Sequence, residues 1–169
     1  HLQAGAVLRN MYYKDEVEDK DRIVTGWGAS LSGIWQFAEN TSLCFQGVYG
    51  KGISNYIQDI SGSGLDLVPS ATAEGKLKAF NAWGGYIGFS HNWSKVLTSN
   101  IMYSYARVLD RYGMPATSYK YAQYAAANLF WDFSEYGSCA IEYVFGRRND
   151  FNKDYGNASR INTMIQYRF

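Results

Sequence analysis

Apolar and polar side chains alternate over eight separate stretches of the chain, residues 2–13, 22–38, 42–57, 77–93, 96–109, 118–133, 138–148 and 159–169. A period of two sends successive side chains to opposite faces of a strand, so each stretch is expected to be a strand with one apolar and one polar face. Every stretch has at least 11 residues. Strands of soluble proteins usually have about five or six, whereas a tilted strand crossing a bilayer needs about 9 to 11. A strand of that length with one continuous apolar face suits a wall with lipid on one side and water on the other.

The connections carry a second pattern. Residues 14–21, 58–76, 110–117 and 149–158 are expected as loops, and 39–40, 94–95 and 135–136 as tight turns, so long and short alternate along the chain. Up-and-down membrane barrels have this asymmetry, with short turns on the periplasmic side and long loops outside. The last strand then runs downward. Trp35, Phe37, Phe89, Trp93, Trp131 and Phe133 fall beside the short turns, with Tyr167 and Phe169, while Tyr12, Tyr49, Tyr105, Tyr121 and Tyr143 fall toward the loops. These positions suit two aromatic girdles at the two membrane interfaces.

Composition removes several other classes. No run of about 18 apolar residues is present, so helical membrane spans are excluded, but a barrel is not. A net charge of +1 gives no basic field for nucleic acid. The mixture of 15 Tyr, 9 Phe, 5 Trp and 17 Gly with 2 Pro favours strands. Cys44 and Cys139 lie in separate strands, without a CxxC or a Cys/His cluster, so neither a disulfide framework nor a metal site is expected. The chain opens on His1 with no basic and apolar leader, and it is expected to be part of a longer protein.

In the final strand, Ile161, Thr163, Ile165, Tyr167 and Phe169 share one face, and Arg160, Asn162, Met164, Gln166 and Arg168 the other. The terminal Phe169, with Tyr167 and Ile165 behind it, resembles the C-terminal signal of bacterial outer-membrane proteins. By that resemblance it is read by the barrel-assembly machinery. Further stretches, 1–9, 102–105, 141–148 and 159–169, resemble the C-terminal half of DcaP-like porins. The resemblance implies an all-β, antiparallel up-and-down transmembrane barrel, with residues 1–169 as a single partial domain supplying the eight C-terminal strands of 16. It also implies a homotrimer in the outer membrane of Gram-negative bacteria that passes small anionic solutes such as dicarboxylates. Outer-membrane lipid and lipopolysaccharide are the expected surroundings, and no cofactor is expected.

A closed eight-stranded barrel with a structural or adhesive role is the alternative. With each strand's more polar face inward, the interior would hold Arg9, Lys120, Arg148, Arg160 and Arg168 against Asp132 and Glu142. Unpaired charges inside so narrow a barrel would each cost on the order of several kcal/mol, a cost that a wide aqueous lumen removes. Small residues on the same faces, Gly26, Gly28, Ser30 and Ser32, then Gly50, Gly52 and Ser54, leave space. Arginines lining a pore concentrate anions and grip carboxylates through a bidentate fork. Arg9, Arg148, Arg160 and Arg168 are therefore the candidates for an anion path, with pairing to Glu142 and Asp132 as the competing role. Arg147 is expected on the other face near the outer rim, where it either snorkels to the interface or meets lipopolysaccharide phosphates, with snorkelling the ordinary reading.

Catalysis is not expected. His91 lies beside a turn with no acidic partner fixed by sequence, and a Ser nucleophile requires an oriented base. Asp19, Asp21, Asp59 and Asp66 lack the spacing of a calcium loop and are expected to be solvated. Residues 58–76 either fold into the pore or reach outward, and the sequence leaves both open.

Overall fold

All eight alternating stretches contribute strands to one antiparallel sheet in the computed structural model, which describes residues 1–169. In chain order the strands are β1 (Leu2–Asp15), β2 (Lys20–Ala38), β3 (Thr41–Lys51), β4 (Leu67–Pro69), β5 (Leu77–Ala79), β6 (Asn81–Asn92), β7 (Leu97–Val108), β8 (Tyr119–Asp132), β9 (Gly137–Asp150) and β10 (Tyr155–Tyr167). The large sheet is a meander in the order β1-β2-β3-β6-β7-β8-β9-β10, and β4 and β5 form a separate small hairpin. β1 and β10 are its two edges and do not pair with each other, so the sheet is open.

Two stretches end earlier than their alternation suggests. The strand expected over 42–57 stops at Lys51, because Gly52 adopts a φ of 67°, open to glycine without strain. The stretch 77–93 is divided between β5 and β6. Between these breaks the chain leaves the sheet over residues 52–80, with two short 3₁₀ turns at Ser54–Tyr56 and Gln58–Ile60 before the β4–β5 hairpin.

The alternation of long and short connections is less regular than expected. Two of the expected loops, 14–21 and 149–158, are four-residue hairpin tips over 16–19 and 151–154. Polar composition misled there, because ladder pairing continues through it: Lys14 sits opposite Asp21 and Asp15 opposite Lys20 in the register, while the ion pairs at the tip join Lys14 to Asp19 and Arg22 to Asp15. Asp15 is fully buried, and its carboxylate accepts hydrogen bonds from the Val17 and Glu18 amides and from Arg22 Nε. It fixes the tip from inside.

The excursion over residues 52–80 folds back onto one face of the sheet. Ile53, Ile57, Ile60, Leu65, Val68 and Phe80 form an apolar cluster with Ala82 of β6 and with Ala106 and Val108 of β7, and Val7 and Val48 pack at its margin. Each fully buried aliphatic or aromatic side chain contributes roughly 1.5 to 3 kcal/mol, and this cluster holds the segment in place. Small residues beneath it make room: a Cβ on Gly28 would lie 2.9 Å from Ile53 Cγ2, and one on Gly84 would lie 3.1 Å from Ile57 Cγ2. The face that receives the segment is called the loop face below.

Candidate functional site

Strand register assigns the loop face. From Val7 on β1 the cross-strand partners run Gly28, Gly50, Ala82 and Val108, so Arg9, Gly26, Val48, Gly84, Ala106, Arg148, Arg160 and their same-parity neighbours share that side. Arg9, Arg148, Arg160, Asp132 and Glu142 all occupy loop-face positions, as the alternation of the sequence placed them. Arg168 continues the same parity just past the end of β10.

Lys120 departs from this pattern. The β8–β9 register slips between Tyr119 and Tyr121, so Tyr119 takes the loop-face position and Lys120 is the extra residue of a bulge. Its ammonium lies over the Phe151 ring, 5.9 Å from the centroid. Tyr119 instead donates to the Ala106 carbonyl at 3.0 Å. One inserted residue exchanges the faces, and strict alternation cannot anticipate it.

The arginines divide into engaged and free. Arg9 Nη1 lies 2.9 Å from Asp66 Oδ2 in the folded segment and also donates to the Gly52 carbonyl, while its guanidinium sits over the Tyr56 ring at 5.8 Å. Asp66 also accepts from Ser54 Oγ at 2.8 Å and is 15% exposed, so it is not the solvated loop carboxylate expected of it. Arg148 bonds Asp150 through Nε at 2.9 Å but remains 59% exposed, over the Tyr119 ring. Arg160 and Arg168 are exposed and form no ion pair.

Glu142 belongs to a row of amides. Asn100 donates to Asn128, and Asn128 and Asn162 donate to the two oxygens of Glu142 at 3.4 and 2.9 Å, which links β7, β8, β9 and β10 on the loop face. Asp132 has no side-chain hydrogen bond or ion pair and is exposed near the β8–β9 turn.

Between the docked segment and the sheet lie two open clefts. One, of about 730 Å³, is bordered by Asp59 and Ser63 of the segment and by Tyr119, Tyr124 and Arg148 of the sheet. The other, of about 570 Å³, is bordered by Tyr56 and Gln58 and by Gln46, Tyr86, Met102 and Ser104. Asp59 and Tyr124 border both. Polar groups of either sign and hydroxyl-bearing rings thus face one water-accessible path. Tyr86 and Tyr124 were not singled out from the sequence, although the signal was present in their parity, which they share with Arg148. Asp59 was expected as a solvated loop carboxylate, and its place between the two clefts became visible only once the segment was folded.

A second connection, residues 109–118, closes over the first. Tyr112 packs edge-on against Phe80 with 5.8 Å between centroids, and Gly113 donates to the Pro69 carbonyl at 3.2 Å. Burial, and then the neighbouring Asp110 carboxylate, push the Tyr112 phenol above its ordinary range.

The opposite face is apolar and exposed. Trp35, Phe37, Phe89, Trp93, Trp131 and Phe133 all lie on it at the short-turn end, with contacts between Trp35 and Phe37, Phe37 and Phe89, and Trp131 and Phe133. His91 sits among them, stacked on Phe89 and bonded through Nδ1 to Thr41 Oγ1 at 2.8 Å. Toward the other end Trp27 meets Tyr49, Trp83 meets Tyr105, and Tyr105 stacks on Tyr121. Tyr143 lies near mid-strand rather than in that upper group, paired with Ala127 and Ile161. Ile165 and Tyr167 line the same face of β10 and are exposed, as is the terminal Phe169. Cys44 and Cys139 are free, and they lie on opposite faces.

Long antiparallel strands, an exposed apolar face banded with aromatics and a segment folded over the polar face together make an open eight-stranded wall. Among solved structures the chain is similar to the outer membrane channel DcaP of Acinetobacter baumannii, with a TM-score of 0.76 and 20% sequence identity. The match covers 99% of this chain and 47% of that one, so the chain spans about half the length of the channel whose fold it shares. No family model matches the chain, and no curated protein matches it by sequence.

Proposed function

We propose that this chain forms one wall of an outer-membrane diffusion channel, a 16-stranded barrel assembled as a homotrimer, through which small hydrophilic and preferentially anionic solutes such as dicarboxylates pass. The observation that carries the reading is the segment 52–80, docked on the polar face with open clefts between it and the sheet. A segment folded against the wall from inside narrows a pore without closing it. The fold shared with half of an outer membrane channel supports the same conclusion.

Selectivity follows from which charges remain free. Arg9 is neutralised by Asp66 and serves to anchor the segment, whereas Arg160 and Arg168 carry no counter-charge and Arg148, though bonded to Asp150 through Nε, stays 59% exposed to the path. Fixed cations raise the local concentration of anions, and a guanidinium binds a carboxylate through two parallel hydrogen bonds. The channel performs no chemistry on its solute. The apolar face meets lipid, and Ile165, Tyr167 and Phe169 present the terminal signal to the assembly machinery.

Reversal potentials of the full-length protein in planar bilayers under a salt gradient test this reading. The expected result is an anion preference that falls when Arg148 and Arg160 are both changed to Gln. A cation-selective or non-conducting protein would sink the anion channel, and an unchanged reversal potential in the double variant would remove the two arginines from the path.

A further inference from the structure

The face opposite the loop holds a groove of about 1080 Å³, floored by Ala4, Ala29, Gly47 and Gly85 and walled by aromatic side chains that include Tyr49, Trp83 and Tyr105. A Cβ placed on Gly47 would meet nothing within 4 Å, so the floor is open rather than filled from below. Arg107 lies at one end of this groove, opposite Trp83 on β6 and two residues beyond Tyr105 on the same face of β7. Arg147 is on the same face of β9, two strands further on, with Gln123 of the intervening β8 paired to it and Tyr121 of β8 paired to Arg107.

Charge on this face is one-sided. Over β3 and β6 to β10 its positions carry Lys51, Arg107 and Arg147 and no carboxylate, and all three cations sit at the end where the long connections emerge. Neither Arg107 nor Arg147 belongs to any ion pair. Arg107 Nε is buried and finds no hydrogen-bond acceptor in the protein. Arg147 is held in place by Asn149 Oδ1 at 3.1 Å and by the Tyr155 ring at 4.2 Å, which leaves its terminal nitrogens free. Arg107 and Arg147 stand two strands and two residues of register apart, which at about 4.8 Å per strand and about 3.4 Å per residue sets their Cα atoms roughly 12 Å apart, a span that two extended arginine side chains can close onto one tetrahedral anion.

We propose that this face holds one phosphate-bearing lipid of the outer leaflet, with its phosphate between Arg107 and Arg147 above Tyr121 and Gln123, and an acyl chain along the groove floored by Gly47 and Gly85. The charge and the groove adjoin, and an anionic amphiphile fills both. The assignment rests on the reading of the chain as a membrane wall.

The experiment uses the full-length protein, delipidated and reconstituted with bisphosphorylated lipid A in a phosphatidylcholine background, with retained lipid measured by native mass spectrometry. The double variant Arg107→Gln/Arg147→Gln is expected to lower retention about ten-fold, as loss of two charge-assisted contacts implies. Gly47→Leu, which fills the groove without displacing backbone, is expected to lower it independently. Lipid A lacking its phosphates is expected to bind like the double variant. Equal retention by the wild type and both variants, with conductance intact, would overturn the lipid site and leave the channel reading standing. Full displacement by inorganic phosphate at millimolar concentration would mark a free-anion site and overturn the lipid assignment. Failure of the wild type to insert into bilayers would overturn both readings together.

Discussion

Asp66 holds the long segment to the wall by its charge as well as its shape. It joins Arg9 of β1 to Ser54 within the segment, with Arg9 27% exposed and Asp66 15%. Asp66→Asn keeps the volume but leaves a half-buried guanidinium without its counter-charge, at a cost of about 1 to 3 kcal/mol to docking. Limited proteolysis of the full-length protein should then cut within residues 53–80 faster, and Arg9→Gln/Asp66→Asn should restore part of the protection. Equal cleavage in all three proteins would show that the pair does not anchor the segment. Gly28 makes a separate demand, because a side chain there collides with Ile53. Gly28→Leu is expected to cost about 1 to 3 kcal/mol by overpacking, read as faster amide exchange over residues 53–60, and unchanged exchange would mean that the sheet yields instead. That Gly28 and its small neighbours leave space was legible in the sequence. What fills the space was not, since period-two alternation says nothing about a segment that is neither strand nor helix.

Strands were the most legible elements, because an apolar face kept exposed over a dozen residues leaves a pattern that short strands lack. Their ends were less so: ladder pairing ran through polar hairpins at 16–19 and 151–154, and a bulge at Tyr119 moved Lys120 off the face its parity assigned. The docked segment was illegible for a different reason. Its stability comes from the convergence of Ile53, Ile57, Ile60, Leu65, Val68 and Phe80, whose spacing matches no single period. Phe80 is fully buried at its heart, and Phe80→Ala is expected to remove about 3 to 5 kcal/mol. That loss should release the segment while the ladder holds. Single-channel conductance should rise and grow noisier, and an unchanged conductance would show that the segment does not narrow the path. At the C-terminal end the side chains of Ile165, Tyr167 and Phe169 are exposed, and the aromatic contact among them is that of Tyr167 with the equally exposed Tyr136. Tyr167→Ala/Phe169→Ala is therefore expected to lower the folded yield in cells several-fold while leaving refolding in detergent unchanged. Equal losses in both settings would assign these residues to packing rather than to recognition.

Closure decides what the whole molecule is. A barrel of eight strands is filled by its own side chains, yet the loop face here already receives the apolar cluster of residues 52–80. Drawing β1 onto β10 would expel that cluster, at roughly 1.5 to 3 kcal/mol for each buried side chain exposed again. Leaving the edges open within a bilayer is no better, since each unpaired backbone group there costs on the order of several kcal/mol. Both penalties vanish when β1 and β10 pair with further strands, and the chain covers 47% of the channel whose fold it shares. Cysteines placed on both edges, on the face opposite the docked segment, separate the alternatives. With Cys44 and Cys139 changed to Ser, pairs drawn from Ala4, Ala6 and Leu8 on β1 and Ile161, Thr163 and Ile165 on β10 would come within bonding range only in a closed eight-stranded barrel. No cross-link between these positions is expected in the full-length protein under oxidation, whereas Leu31→Cys with Ala4→Cys, neighbours in the present sheet, should cross-link as the positive control. A bond between β1 and β10 would reduce the molecule to a narrow closed barrel, and the anion path along Arg148 and Arg160 would lose the aqueous lumen that makes those charges affordable.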